Sequence, residues 1–137
     1  MKTKLFVYGT LKRGFHNNRL LQDQKFLQEV ETADPQVMEC GGIPFLYNAS
    51  RYLRETKKCY KAYYAPKVKG ELWEVDEEAL QLIDGLEGHP RWYKRRNAIV
   101  KGINGNKTIF LAQAYYMTPP TIKEGFPVVQ GEVRREF

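Results

Sequence analysis

The stretch from Val68 to Pro90 restricts the fold of this chain more than any other. Val68 to Val75 reads as a strand, and Asp76 follows it directly. Aspartate is a favoured helix N-cap because its carboxylate accepts hydrogen bonds from the first turn's backbone N–H groups. Glu77 and Glu78 then place negative charge at the positive end of the helix dipole. Ala79, Leu82, Ile83 and Leu86 recur at helical spacing and predict one apolar face. Gly88 and Pro90 end the helix. A strand therefore runs straight into one short, well-capped helix.

The rest of the chain offers no second helix of this quality. Thr3 to Tyr8 reads as a first strand, and Asn17 or Asn18 is placed to cap a short helix through Leu20 and Leu21. Phe26 to Met38 is strand material interrupted at Asp34-Pro35. Gly41-Gly42-Ile43-Pro44 makes a turn into Phe45-Leu46-Tyr47. Ala49 to Lys58 permits a helix, and Tyr60 to Ala65 is strand-like until Pro66. Tyr93 to Ile103 and Lys107 to Tyr116 read as two strands, and Asn104-Gly105 predicts a two-residue hairpin between them. About six strands, one good helix and no regular βαβ alternation indicate an α+β fold, a small mixed β-barrel or curled sheet with one main helix. A length of 137 residues suits one domain over 1–137, with its core at about 4–117 and a polar tail at 118–137.

No apolar run has the length of a membrane span. No signal-peptide pattern follows Met1-Lys2-Thr3-Lys4, so the expectation is a cytoplasmic protein with no membrane partner. Cys40 and Cys59 stand outside any C-x-x-C frame and read as buried, reduced thiols, the alternative of a disulfide having no support in their spacing. The formal charge of +6 is compatible with nucleic acid, an acidic ligand or simply a soluble surface. Tyr93-Lys94-Arg95-Arg96 is a basic patch, and Lys57, Lys58, Lys61, Lys67 and Lys69 interleave with Tyr60, Tyr63 and Tyr64. Aromatic residues among cations can stack bases. Strands with one solvated face account for both patterns with fewer assumptions. His16 and His89 have no metal-ligand spacing, and no serine or cysteine sits in a nucleophile motif.

Two short segments carry the chemistry. Phe6 to Gly14 is a strand that breaks into a glycine turn, a geometry that presents backbone N–H groups to an anion. It is not a phosphate loop, because Phe15-His16 stands where Lys and Ser/Thr would be needed. Leu82 to Gly88 is a helix that ends on the carboxylate of Glu87. There the dipole disfavours negative charge, though by under about one pKa unit, so a catalytic shift also requires burial. Asp84, Glu71 and Glu74 are its rivals as a general base.

Phe6-Val7-Tyr8-Gly9-Thr10-Leu11-Lys12-Arg13-Gly14 resembles the opening signature of the gamma-glutamylcyclotransferase-like superfamily, most closely its gamma-glutamylaminecyclotransferase (AIG2-like) branch. Ile43-Pro44-Phe45-Leu46, Val68 to Val75, Leu82 to Glu87, Tyr93-Lys94-Arg95 and Ala114-Tyr115-Tyr116 resemble its later landmarks, in the family's order. The resemblance implies that Tyr8, Gly9, Thr10 and Leu11 form a substrate cradle and that Glu87 accepts the proton. It further implies a small-molecule gamma-glutamyl substrate, cyclised to 5-oxoproline with release of an amine, and calls for no metal, cofactor or nucleic acid. It says nothing of oligomeric state. Ile43 to Gly70 is longer than is usual in the family, which directs attention to that stretch as a border of the leaving-group side. The alternative is a small, basic, aromatic-rich β domain that binds nucleic acid or an acidic partner without catalysis.

Overall fold

The first strand, β1 (Lys2–Val7), is buried on both faces along its second half, which explains its unbroken apolar run. Leu5 and Val7 face the helix side; Phe6, and Tyr8 just beyond the strand, face the other side of the sheet. The computed structural model describes residues 2–33, 36–40, 44–48, 67–105 and 107–117. A 3-10 helix (His16–Leu21) follows, then β2 (Lys25–Thr32), β3 (Gln36–Cys40), β4 (Pro44–Asn48) and β5 (Lys69–Asp76). The helix α1 (Glu77–Glu87) and the strands β6 (Tyr93–Gly102) and β7 (Ile109–Met117) complete the order.

The main sheet runs β1-β5-β2-β6-β7. Its neighbours are antiparallel, from Lys2 opposite Asp76 at one edge to Tyr93 opposite Met117 near the other. The sheet curls until β7 meets β1 in parallel at Leu5 and Gln113, and so closes on itself. β3 and β4 form a separate hairpin, with β4 lying against β7. This is an α+β architecture with one main helix, as the strand and helix patterning predicts. No helix among the described residues is long and apolar enough to cross a membrane.

The helix forms where its caps require it. Asp76 accepts from the Ala79 N–H at 2.8 Å, and Gly88 adopts the left-handed conformation (φ 66°) that ends the helix. Its packing face differs from the predicted one. Ala79, Leu80 and Ile83 are buried against Leu5, Val7 and Val75, whereas Leu82 and Leu86 are 61% and 45% exposed. Helical spacing alone could not choose between two overlapping stripes that share Ala79 and Ile83; the crossing of α1 over β1 and β5 chooses.

Two local expectations need correction. Neither Asn17 nor Asn18 caps the 3-10 helix, whose N-cap is Phe15 with no side-chain cap bond. Both asparagines reach back to the Gly9 turn instead. β6 and β7 are antiparallel neighbours, but the connection is not a two-residue hairpin. Pairing ends where the Gly102 N–H donates to the Thr108 carbonyl, and Gly105 beyond it stands at φ 67°. The Asn104 amide donates to Glu29 on β2, which ties the loop to a different strand. The readings of the Gly41–Ile43 turn, Ala49–Lys58, Tyr60–Ala65, Cys59 and the tail at 118–137 concern residues outside those described.

Gly70 holds β5 against the end of β1. A Cβ there would lie 2.3 Å from the Val7 carbonyl oxygen and 2.7 Å from Phe6 Cε1. Backbone cannot yield as a flexible side chain does. Gly70→Ala is therefore expected to destabilise the protein by about 1–3 kcal/mol, the usual range for overpacking. A lowered urea midpoint at unchanged slope checks this.

Candidate functional site

Beyond β1 the chain turns sharply at Gly9 to Leu11, and its carbonyls are all engaged. The Gly9 carbonyl accepts from Lys12 N–H and the Thr10 carbonyl from Asn17 N–H, both at 3.0 Å, and the Leu11 carbonyl accepts from Asn18 Nδ2 at 2.8 Å. Asn17 Nδ2 also donates to Thr10 Oγ1 at 2.8 Å. The backbone amides of Gly9, Thr10 and Leu11 donate to no described residue. The turn thus presents unclaimed N–H donors, and the left-handed region, occupied by Gly14, Gly88 and Gly105, is not what Gly9 supplies. Gly9 supplies absence of a side chain at a cavity wall.

The turn is bolted to the sheet by Glu71. Its Oε1 accepts from the Arg13 backbone N–H at 3.0 Å and from Trp73 Nε1 at 3.2 Å; its Oε2 takes Arg13 Nε at 3.0 Å. The Arg13 guanidinium lies 3.8 Å from the centre of the Phe26 ring. Glu71 is buried and fully occupied, so it anchors the turn and is no candidate base. Glu74, on the opposite face of β5, is not part of the cavity.

A cavity of about 200 Å³ opens beside the turn. Tyr8, Gly9, Thr10 and Leu11 line it from one element and Glu87 from another, so the structure brings together all five residues singled out by sequence. Tyr8 is buried with its hydroxyl donating to the Tyr115 carbonyl at 2.6 Å. Glu87 makes no hydrogen bond or ion pair to any described residue. Burial pushes its carboxyl up to about 7. The physical cause is desolvation at the cavity wall, over and above the small effect of the helix end.

Asp84, one helical turn earlier, has the opposite fate. Burial alone would raise its carboxyl, but hydrogen bonds from Arg95 and Tyr115 and the Arg95 charge outweigh it and hold the group below the usual carboxylate range. Arg95 Nε and Nη2 grip the two Asp84 oxygens at 2.9 and 3.0 Å, a bidentate pair, and Arg95 also donates to Gln113. The Tyr115 hydroxyl donates to Asp84 Oδ1 at 2.6 Å. Tyr115 lines the cavity, and burial together with Asp84 pushes its phenol far up, so it stays protonated.

Sequence reasoning missed Asn17, Asn18, Arg95 and Tyr115. Arg95 stood in an apparent basic patch, yet its charge is matched by Asp84. Lys67 likewise pairs with Glu31 at 3.8 Å, and Lys57, Lys58, Lys61, Tyr60, Tyr63 and Tyr64 lie outside the described residues. Among the described residues no three His, Cys, Asp or Glu side chains are grouped to hold a metal ion.

Residues 5–133 match the family model described as gamma-glutamyl cyclotransferase, AIG2-like. The chain is 35% identical over 97 residues to a "putative gamma-glutamylcyclotransferase" of Methanocaldococcus jannaschii, covering 70% of each protein. It is 30% identical over 123 residues to gamma-glutamylaminecyclotransferase B of Danio rerio, covering 83% of this chain and 58% of that protein's length. Its fold superimposes on the crystal structure of an AIG2-like protein from Mus musculus with a TM-score of 0.66 at 26% identity, covering 86% of this chain and 78% of that one. The turn at Gly9, the strand β5 and the helix ending at Glu87 all fall inside the matched region. The chain belongs to the AIG2-like gamma-glutamyl cyclotransferase family, close to its gamma-glutamylaminecyclotransferase branch.

Proposed function

We propose that this protein is an enzyme that cyclises a gamma-glutamyl amide to 5-oxoproline and releases the amine. One observation carries the reading: a carboxyl raised to about 7, with no described partner, shares a small cavity with three unclaimed backbone amides. In this reading the amides of Gly9, Thr10 and Leu11 hold the substrate's alpha-carboxylate. Asn17 occupies Thr10 Oγ1 as an acceptor, so the Thr10 hydroxyl proton is left to donate toward the same anion.

The substrate brings its own nucleophile. Glu87 takes a proton from the alpha-ammonium, and the amine attacks the gamma-carbonyl carbon. A new C–N bond closes the five-membered lactam and the C–N bond to the leaving amine breaks. Two protons leave the ammonium on the way to the lactam N–H; both end on the expelled amine, which departs as an ammonium ion. Glu87 relays them, a task suited to a group that titrates near neutrality. Holding the chain folded for an intramolecular attack is worth about 7–11 kcal/mol, so a site this sparse suffices.

The test is direct. The protein is incubated with gamma-glutamyl dipeptides, gamma-glutamyl alkylamides and gamma-glutamyl-epsilon-lysine at pH 8, and 5-oxoproline is measured by chromatography. Release from at least one member is expected; silence across the panel overturns the reading. Gly9→Val tests the cradle. Its side chain would intrude where the alpha-carboxylate approaches, so turnover should fall about 10²-fold or more, as for a misplaced substrate. An unchanged far-UV spectrum beside that loss separates it from misfolding, and an active variant refutes the assignment.

A further inference from the structure

We propose that Leu86 and Trp92 form an apolar platform for the substituent of the leaving amine, which makes the substrate a gamma-glutamyl amide of an uncharged apolar amine. The inference rests on the cyclisation reading of the cavity. Leu86 and Trp92 both line that cavity, yet they are 45% and 60% exposed, so the cavity wall continues outward across them. Large apolar side chains left this exposed at a pocket mouth gain most from a ligand that covers them.

Their position relative to Glu87 decides what they meet. Leu86 is the residue before Glu87. Trp92 is fixed just beyond it by the turn that ends α1: the Arg91 and Trp92 N–H groups both donate to the Gly88 carbonyl at 2.9 Å. A Cβ on Gly88 would stand 3.2 Å from Trp92 Cβ, so glycine lets the tryptophan approach the helix end. Glu87 must reach the leaving nitrogen to protonate it. Whatever that nitrogen carries therefore departs past the residues flanking Glu87, while the alpha-carboxylate lies at the Gly9 turn. A carboxylate on the leaving group would find no Lys or Arg side chain among the described cavity residues, where His16 belongs to the 3-10 helix joined to the Gly9 turn, and would sit beside the Glu87 carboxyl. An aromatic or branched alkyl group would find the Trp92 ring and the Leu86 side chain.

The experiment measures binding and turnover separately. Gamma-glutamylbenzylamide, gamma-glutamylmethylamide and gamma-glutamylglycine are titrated by calorimetry into Glu87→Gln protein and assayed for 5-oxoproline release by the wild type. The benzylamide should bind about tenfold more tightly than the glycine amide, the scale of discrimination an apolar pocket gives. Leu86→Ala and Trp92→Ala should each reduce the benzylamide-to-methylamide affinity ratio about threefold or more. Leu86→Lys adds a cation and should move the preference toward gamma-glutamylglycine. Leu86 is exposed at a helix end, so its two variants decide the matter even if Trp92→Ala fails to fold. The proposal is overturned by equal binding of benzylamide and glycine amide, by no detectable benzylamide binding, or by an affinity ratio unmoved in the Leu86 variants. Selective benzylamide binding without 5-oxoproline release by the wild type would remove the cyclisation reading and leave the platform. Release without selectivity would do the reverse.

Discussion

Glu87→Gln is expected to fold, to bind substrate, and to release 5-oxoproline about 10²-fold or more slowly than the wild type, the low end for losing a general acid–base. Glutamine keeps the shape and polarity of the side chain but cannot take the ammonium proton. In the wild type the carboxyl must be ionised to act as a base, so the rate should fall as pH drops through about 7. The mutant should lack that acid limb. The same substitution has a second, opposite signature. Burial makes the folded state hold the Glu87 proton more tightly than the unfolded state, so stability is lost as pH rises from about 4.5 through about 7. Above pH 7, Glu87→Gln should therefore be more stable than the wild type, by on the order of 3 kcal/mol at most. A slower but more stable enzyme at pH 8 would be the fingerprint of a desolvated base. Near-wild-type release would refute the mechanism.

Glu71→Ala should have the largest effect on the architecture of the site. It removes the acceptor for the Arg13 backbone N–H and for Trp73 Nε1 and breaks the ion pair with Arg13. Each buried donor left unsatisfied costs about 1–3 kcal/mol. Arg13 itself is half exposed and keeps Glu29 at 3.5 Å, so its loss of Glu71 adds little. The prediction is a lowered Tm together with an increase in KM larger than any change in kcat, because the turn proposed to hold the alpha-carboxylate loses its bolt. Glu71→Gln can still accept one of the two donors and should recover part of both. A variant that keeps its KM while losing kcat would make Glu71 part of the chemistry instead.

The two predictions depend on information of different kinds, and only one kind is local. Asp76 as a cap, Gly88 as a stop and the strands on either side follow from propensities and capping bonds made within a few residues, so they were readable in order along the chain. The breaks were readable less well. The Asn104-Gly105 loop is not the two-residue hairpin its residues predict, and Asn104 reaches Glu29, 75 positions away. The stripe of α1 that faces inward differs from the predicted one at Leu82 and Leu86, because helical spacing does not encode where the sheet lies. Asn17 and Asn18 serve the turn seven residues before them and cap no helix.

The sequence alone nominated the Gly9 turn and the helix-end Glu87, since a glycine turn and a helix terminus are properties of contiguous residues. It left four carboxylates in contention, and tertiary structure sorted them. Asp84 is claimed by Arg95 and Tyr115, 11 and 31 positions away, and Glu71 by Arg13, 58 positions away; Glu74 lies outside the cavity. Glu87 remains without a described partner in a desolvated wall. The reason is general: whether a carboxylate stays charged depends on the water it loses and the donors it gains, and both come from parts of the chain that only folding brings together.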